Sequence, residues 1–229
     1  ADFRQRHLGF AGFPCGHLHF YQPGQGEHVI WLPLQLGLQT GAGFRMFGAM
    51  YMPGPIELGG ATNFPSLMAL GASGDTALAY EMGRITAQEA RAVGIHVAFG
   101  PVLDVNNNSD NPIINVRSFG EDPARVGALG AAMVRGTQEH GAIATGKHFP
   151  GHGDTGVDSH LALPTIAVSR ERMDSVELPP FRDAIAAGMG AIMTAHITVP
   201  SINGGTGDAA TLSPRVLTGL LRDELGFRG

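Results

Sequence analysis

The stretch KHFPGHGDTGVDSH, from Lys147 to His160, concentrates ionisable side chains in a segment whose composition is typical of a loop. It holds one lysine, three histidines and two aspartates, separated by three glycines and one proline. Glycine and proline interrupt regular structure, and the segment offers few apolar side chains for burial in a core. We therefore expect this loop to carry chemistry, either ligand binding or proton transfer.

Lys147 and His148 directly follow a short apolar run, AIATG, which predicts a buried strand. The strand fixes the backbone of both residues at the point where the loop begins. Lysine is a donor-only cation, and histidine can donate or accept a hydrogen bond. Together they fit the hydroxyl groups of a sugar or the oxygen atoms of an anion. A structural ion pair with a buried core histidine is the alternative interpretation.

Asp158 and His160 are separated by one residue near the end of the loop. In extended backbone, side chains at i and i+2 point to the same side, so this carboxylate can orient the imidazole. A histidine held by a carboxylate is suited to proton transfer near neutral pH. We expect the glycines at 151, 153 and 156 to let the loop move and close over a ligand.

Two other chemistries have less support from the sequence. His148 and His152 could bind a metal ion together with Asp154 or Asp158. However, Pro150 lies between the two histidines and disfavours the helical spacing of the usual His-x-x-x-His pair. A serine hydrolase needs a G-x-S-x-G turn, which does not occur, and phosphate-binding glycine motifs do not occur either. The sequence therefore predicts no metal and no cofactor.

The elements that must position these residues alternate between strand and helix. Short apolar runs predict strands, and 3.6-residue periodicity with capping residues predicts helices that begin at Asp75, Asp122 and Ser213. This alternation indicates an α/β fold with a mainly parallel sheet, either doubly wound or a (β/α)₈ barrel. The predicted strands cover 29–38, 95–105, 142–149 and 191–197, and the predicted helices cover 75–94, 123–141, 169–188 and 213–226, after 30 to 40 irregular residues.

The positions of four polar residues favour the barrel. Asp104, Lys147, His148 and His196 each lie at the C-terminal end of a predicted strand. In a (β/α)₈ barrel these ends converge on one mouth, where active sites are built, whereas a doubly wound sheet gathers only the groups beside its switch point. Polar residues also follow strands simply because loops are hydrated, but three such strand ends together favour a site.

Composition limits the function classes. The 229 residues carry a formal charge of −5, with 43% hydrophobic and 15% charged residues, which fits a globular domain with a sizeable core. The mild acidic balance gives no electrostatic reason to expect a nucleic-acid partner. A single cysteine, Cys15, excludes an internal disulfide framework. No apolar run is long enough to span a membrane, and no signal peptide is recognisable, so we expect a cytoplasmic location.

Several blocks of the sequence, in the same order, resemble the family 3 glycoside hydrolases, in the branch of the β-N-acetylglucosaminidases. The resemblance extends from about Gly60 to Gly229. Because it rests on several separate blocks, it is more specific than a match to a single motif. The blocks are GATNFPSLMALGA, EARAVGIHVAFGPVLDVNNNSDNPIINVRSFGEDP, KHFPGHGDTGVDSHLALP, AIMTAHITVPSI and ATLSPRVLTGLLRDELGFRG.

This resemblance implies one catalytic (β/α)₈ barrel domain over residues 1–229 and a retaining mechanism through a glycosyl-enzyme intermediate. It implies that His160 is the general acid/base, oriented by Asp158, in place of the carboxylic acid of most glycosidases. The implied substrate is β-linked N-acetylglucosamine in cell-wall or chitin-like oligosaccharides. The positions implied to hold the sugar are Lys147, His148 and Arg117, followed by Asp104 and His196 at neighbouring strand ends.

The sequence departs from the family pattern in two places. The family nucleophile is an aspartate in a strand that follows the helix ending LRDELGFRG, and the chain ends at Gly229. We therefore expect the last barrel strands and the nucleophile to be missing from this chain. The early family stretch Asp-x-Glu-Gly-Gly is also altered, with Gln39 in place of the aspartate and Gly41 in place of the glutamate.

The sequence leaves two alternative functions open. One is a non-catalytic sugar-binding or scaffold protein of the same fold, which keeps Arg117, Lys147 and His148 but not the chemistry. The other is a β-N-acetylglucosaminide phosphorylase, because a histidine acid/base does not repel an incoming phosphate as a carboxylate does.

Overall fold

The computed structural model describes residues 45–47, 55–57, 61–157, 162–205 and 207–229, the first two as backbone only. The predicted strand over 29–38, the irregular N-terminal residues, Cys15 and Gln39 lie outside the described residues. So do Asp158 and His160, the two predicted catalytic residues. All described residues belong to one compact unit.

A parallel three-stranded sheet underlies the site. Its order is β3 (Val97–Ala98), β4 (Ile143–Phe149) and β5 (Ala191–Thr194), with β4 in the middle. Both neighbours run parallel to β4, which confirms the predicted α/β class and parallel pairing. A central strand is buried on both faces in such a sheet, and β4 is accordingly buried from Ala144 to Lys147.

The strand predicted over 95–105 is regular for only two residues. Val97 and Ala98 pair with β4, and the chain then meets Gly100 and Pro101. Proline has no N–H to donate to the ladder, so regular pairing stops there. The segment still follows β4, because Leu103 N donates to Lys147 O over 2.7 Å and Val102 forms an isolated parallel bridge with Lys147. Residues 102–105 are therefore held beside the end of β4 despite the short strand.

Two long helices begin where the capping residues predicted. Helix α2 (Thr76–Ala92) starts after Asp75, whose carboxylate accepts from Ala77 N and Leu78 N. Helix α3 (Pro123–Gln138) starts in the same way after Asp122, with proline at its first position. A carboxylate at the N-cap satisfies amides that have no partner within the helix, and it also complements the helix dipole.

Helices α2 and α3 approach each other closely at two glycines. A Cβ on Gly136 would lie 2.0 Å from Tyr80 O, and one on Gly83 would lie 2.4 Å from Met133 O. No side chain fits at these distances, so glycine is needed for the observed separation. Glycine in a helix interior is normally unfavourable by about 1 kcal/mol, and close packing is the compensating gain.

The helix predicted over 169–188 is broken at its two prolines, as expected. Ser169 caps its start, and its middle portion is π-helical. The last predicted helix is also π-helical, over Arg215–Glu224. The remaining elements are the antiparallel pair β1 (Arg45–Phe47) and β2 (Pro55–Glu57), α1 (Leu67–Ser73), the turn Asn115–Arg117, α4 (Arg170–Arg172), the π-helical Met173–Glu177, α5 (Pro179–Ala186), α6 (Pro200–Asn203) and the turn Ala210–Leu212.

The described part of the chain has two apolar clusters. One includes Phe149 and Phe181, whose rings pack edge to face with centroids 5.2 Å apart, and it extends under the C-terminal π-helix. The other lies between α1, α2 and α3 and contains Phe119. Within the described segments, no helix is long and apolar enough to cross a lipid bilayer.

Candidate active site

The carboxylate of Asp104 is the centre of a hydrogen-bonded cluster at the C-terminal end of β4. It is fully buried and accepts from His148 N at 3.1 Å, His148 Nδ1 at 2.7 Å and His152 N at 2.7 Å. Burial alone would raise the pKa of Asp104, but His148 and the donated hydrogen bonds outweigh burial and hold this pKa below its usual value. Asp104 is therefore an ionised carboxylate at neutral pH.

His148 is a neutral imidazole whose tautomer is fixed by Asp104. Burial lowers the pKa of His148 below its usual value, and the neighbouring Asp104 offsets this effect only in part. An ionised carboxylate can only accept, so the short contact requires Nδ1 to carry the proton and donate it. The other ring nitrogen, Nε2, then has a free lone pair that can accept a hydrogen bond from a ligand hydroxyl.

Lys147 places an amino group in the interior without a hydrogen-bond partner among the described residues. Its side chain is fully buried at the point where β4 meets the Val102 segment. The pKa of Lys147 is lowered to about 7, because burial and then the nearby charge of Arg117 lower it more than Asp104 raises it. A buried amine with unused donors is costly for folding, which is typical of a group retained for binding or catalysis.

Arg117 completes the charged cluster from a neighbouring turn. It ends the turn Asn115–Arg117, and its Nη1 donates to Ile113 O over 3.0 Å. Burial lowers the pKa of Arg117, while Asp104 raises it. Arginine stays charged at any physiological pH, so Arg117 and Asp104 carry opposite charges beside the titrating Lys147.

His196 lies at the neighbouring strand end and has its own partner. Strand β5 pairs with β4, and His196 follows it as an exposed side chain. Thr211 Oγ1 donates to Ala195 O over 2.9 Å and lies 3.0 Å from His196 Nδ1. Since the hydroxyl proton of Thr211 is directed to the carbonyl, Nδ1 of His196 donates to the hydroxyl oxygen.

The structure thus brings together four of the seven residues that the sequence selected, namely Asp104, Arg117, Lys147 and His148. His196 shares the same edge of the sheet, and no described contact joins it to that cluster. Asp158 and His160 are outside the described residues, and their roles stay predictions.

The glycines of the loop serve close packing as well as turning. Gly153 is buried, and a Cβ there would lie 1.7 Å from Val105 O. Gly151 has a φ of +130°, and a Cβ there would lie 2.8 Å from Cβ of Glu177. Gly151 and Gly153 are therefore needed for close packing of the loop against its neighbours, and the expectation that the loop moves stays a prediction. Gly156, by contrast, is exposed, and a Cβ there would meet only Asn108 Nδ2 at 3.9 Å, an ordinary contact distance.

Several residues that support the cluster were not selected from the sequence. Asn111 hydrogen-bonds the backbone of the loop at His152 and Gly153, and Glu177 accepts from Asn107 over 3.2 Å. Burial raises the pKa of Glu177 above its usual value. The run NNNSDNP (residues 106–112) carries the sequence signal for such contacts, because asparagine side chains readily hydrogen-bond to nearby backbone.

The family model for the glycosyl hydrolase family 3 N-terminal domain matches residues 46–229. The chain belongs to glycosyl hydrolase family 3. This confirms the family resemblance that the loop and its flanking blocks predicted. Among the described residues of this family 3 chain, no group of three or more histidine, cysteine, aspartate or glutamate side chains is arranged to hold a metal ion.

Individual relatives are similar over about three quarters of the chain. A curated relative, β-hexosaminidase A of Pseudoalteromonas piscicida, is 42% identical over 183 residues, which is 74% of this chain and 30% of the relative. The solved family 3 β-N-acetylglucosaminidase of Paenibacillus sp. FPU-7 is 50% identical with a TM-score of 0.73, covering 82% of this chain and 34% of that one.

A third similar structure is NagZ from Neisseria gonorrhoeae in complex with N-trifluoroacetyl-D-glucosamine. It is 36% identical with a TM-score of 0.69, covering 75% of this chain and 52% of that one. The family 3 chain thus spans between about a third and a half of the length of these relatives.

Proposed function

We propose that this chain is the sugar-binding part of a retaining glycoside hydrolase that removes β-linked N-acetylglucosamine from cell-wall or chitin-like oligosaccharides. The observation that carries the proposal is the buried, unpartnered amino group of Lys147 beside the Asp104–His148 pair. Membership in family 3 and similarity to β-N-acetylglucosaminidases support the same reaction class.

The cluster offers complementary groups to sugar hydroxyls. Lys147 and Arg117 supply donors, and Nε2 of His148 supplies an acceptor that Asp104 keeps available by holding the proton on Nδ1. A sugar hydroxyl can donate and accept at once, so it can bridge the lysine and the histidine. Binding of the sugar would then provide the hydrogen bonds that the Lys147 amino group lacks.

We also propose that the parallel sheet is part of a (β/α)₈ barrel. Strands β3, β4 and β5 are consecutive neighbours, and helix α3 connects β3 to β4. The polar cluster and His196 follow the C-terminal ends of adjacent strands, as in the active-site mouth of a barrel. This topology is compatible with a barrel wall that continues on both sides of the three strands.

In the proposed reaction, His160 protonates the departing oxygen and later activates the attacking water, while Asp158 stabilises the positively charged imidazole. The two roles alternate because a retaining mechanism has a glycosylation and a deglycosylation step. The proposal leaves the aspartate nucleophile unassigned among the residues of this chain.

The test is an assay of the natural full-length gene product with 4-nitrophenyl β-N-acetylglucosaminide and the matching β-glucoside. We expect hydrolysis with at least a tenfold preference for the N-acetylated substrate. Lys147→Ala should lower kcat/KM by about 10–100-fold, the range for losing a charged hydrogen bond. The matched control is Arg91→Ala at the exposed end of α2, which should keep full activity. No cleavage by the wild type, or equal losses in both variants, would contradict the proposal.

A further inference from the structure

The asparagine-rich residues 106–111 and the loop residues 148–157 are joined by side-chain hydrogen bonds that the proposed chemistry does not use. Residues 106–111 follow the Asp104 carboxylate and precede the turn that carries Arg117. Residues 148–157 begin at His148 and lead directly to Asp158 and His160. Any group that fixes one segment against the other therefore fixes the base of the loop relative to the sugar-binding cluster.

Asn111 is the side chain that makes most of these bonds. Its Nδ2 donates to His152 O at 2.8 Å and Gly153 O at 2.9 Å, and it lies 3.3 Å from Thr155 Oγ1. Asn111 is 2% exposed, so water does not compete for these bonds. One amide nitrogen thus contacts three acceptor atoms within residues 152–155 of the loop.

The same side chain also shapes its own segment. Its Oδ1 accepts from Ile113 N at 2.9 Å and from Ile114 N at 2.8 Å, which closes the turn that leads to Arg117. The side-chain amide therefore contacts two segments at once. The oxygen fixes the Arg117 turn, and the nitrogen fixes the loop. Asparagine is suited to this because it presents a donor and an acceptor on one rigid plane.

The loop side of this contact lies just before the predicted catalytic residues in the sequence. His152 N donates to Asp104, and His152 Nδ1 lies 2.7 Å from Thr155 Oγ1. Thr155 is three residues before Asp158. Residues 152–155 are thus fixed immediately before the segment of the sequence that carries Asp158 and His160.

We propose that Asn111 is a positioning residue that holds the base of the loop so that His160 reaches the leaving-group oxygen. The inference rests on the proposed function, because it assigns Asn111 an effect on the acid step. It predicts an effect distinct from that of Lys147, which acts on sugar binding. Loss of the Nδ2 bonds should impair proton delivery and leave the sugar-binding cluster intact.

Asn111→Asp in the natural full-length gene product separates the two halves of the side chain. A carboxylate still accepts from Ile113 N and Ile114 N, but it cannot donate to the carbonyls of His152 and Gly153. We expect kcat/KM to fall about 10–100-fold on a β-N-acetylglucosaminide with a poorly acidic alcohol as leaving group. On the 2,4-dinitrophenyl glycoside, which needs little acid assistance, the loss should be less than threefold. The Kd for N-acetylglucosamine should stay within twofold.

The matched control is Asn108→Ala. Asn108 is in the same segment, and the described hydrogen bond of its side chain is the local one from Asp110 N at 2.9 Å. This variant should leave kcat/KM on both substrates unchanged. If Asn111→Asp does not fold, Thr155→Val removes one of the three loop-side acceptors and should give the same leaving-group dependence with a smaller loss.

Hydrogen exchange supplies a readout that needs no turnover. In Asn111→Asp, amides of residues 152–157 should exchange at least tenfold faster, while those of α2 and α3 keep their protection. Equal losses on both leaving groups, unchanged activity, or faster exchange throughout the protein would each overturn the inference. If the wild type hydrolyses no β-N-acetylglucosaminide, the proposed function fails, and local exchange alone then decides whether Asn111 holds the loop.

Discussion

The imidazole of His148 donates from Nδ1 to the buried carboxylate of Asp104 over 2.7 Å, and the backbone N–H of the same residue donates to that carboxylate as well. One aspartate therefore fixes the backbone, the ring orientation and the tautomer of one histidine. This double contact joins the segment after β3 to the end of β4, across 44 residues of sequence. It sets the geometry on which the proposed sugar site depends.

Asp104→Asn should destabilise the protein by about 2–4 kcal/mol at pH 7, because the amide group must direct a donor at one of the N–H groups that now donate to the carboxylate. The pKa of Asp104 is lower in the folded state than in the unfolded state. The ionised carboxylate therefore contributes its full stabilisation above the unfolded pKa of about 4, and this stabilisation is lost as the pH falls through the folded-state pKa. Urea unfolding should show that the difference in unfolding free energy between the wild type and Asp104→Asn is smaller at pH 3 than at pH 7. Asp110→Asn, at an exposed position, is the control and should have little effect at either pH.

Lys147→Met should stabilise the fold, by about 2 kcal/mol at neutral pH, because an apolar side chain replaces a buried amine without a described partner. The folded pKa of about 7 lies below the unfolded value, so the unfolded chain binds the extra proton between pH 7 and about 10.5. The advantage of the variant should therefore be largest below pH 7 and decrease towards pH 10.5. Urea unfolding of the wild type and Lys147→Met over that pH range measures the difference in their stability. A stability advantage of the variant that grows with pH would contradict the assigned pKa shift.

Sugar binding should take up a proton at pH 8. Lys147, with a pKa of about 7, is mostly neutral at that pH, and contact with hydroxyl oxygens favours its charged form. Titration calorimetry with N-acetylglucosamine in buffers of different ionisation enthalpy should report an uptake of up to one proton at pH 8. At pH 6 the amine is already protonated, and the uptake should be near zero. Equal uptake at both values would indicate that another group titrates.

His160→Ala in the natural full-length product should slow hydrolysis of substrates with poor leaving groups by about 10²–10⁴-fold, the usual contribution of general acid catalysis. Activated aryl glycosides need less protonation, so their glycosylation step should be much less affected. Pre-steady-state and steady-state rates on a series of aryl β-N-acetylglucosaminides separate the two steps. A loss that is the same across the whole series would exclude the acid role.

Gly136→Ala should destabilise the protein by about 1–3 kcal/mol, because the added methyl group would meet the carbonyl of Tyr80 on α2. The matched control is Gly219→Ala in the C-terminal π-helical segment, where nothing lies within 4 Å of the added Cβ. That substitution should leave stability unchanged or raise it by up to about 1 kcal/mol. Thermal unfolding of both variants tests the helix contact, and a destabilisation of equal size in both would argue against it.

The local features of this fold could be predicted from the sequence. Asp75 and Asp122 cap helices where they were expected, and the apolar run before Lys147 forms the central strand. Such signals act over a few residues, because capping bonds and side-chain periodicity depend only on the nearby chain. The strand predicted over 95–105 was too long, since a single proline ended regular pairing.

The chemistry of the cluster depended on the tertiary structure. The sequence identified Asp104, Arg117, Lys147 and His148 as candidates, and the resemblance to family 3 supplied their expected roles. Only the folded arrangement buries Lys147 beside Arg117 and lowers its pKa, and only this arrangement makes Asn111 the contact between two loops. Desolvation and Coulomb interactions depend on which distant segments come together, and that information is not contained in the spacing of residues along the chain.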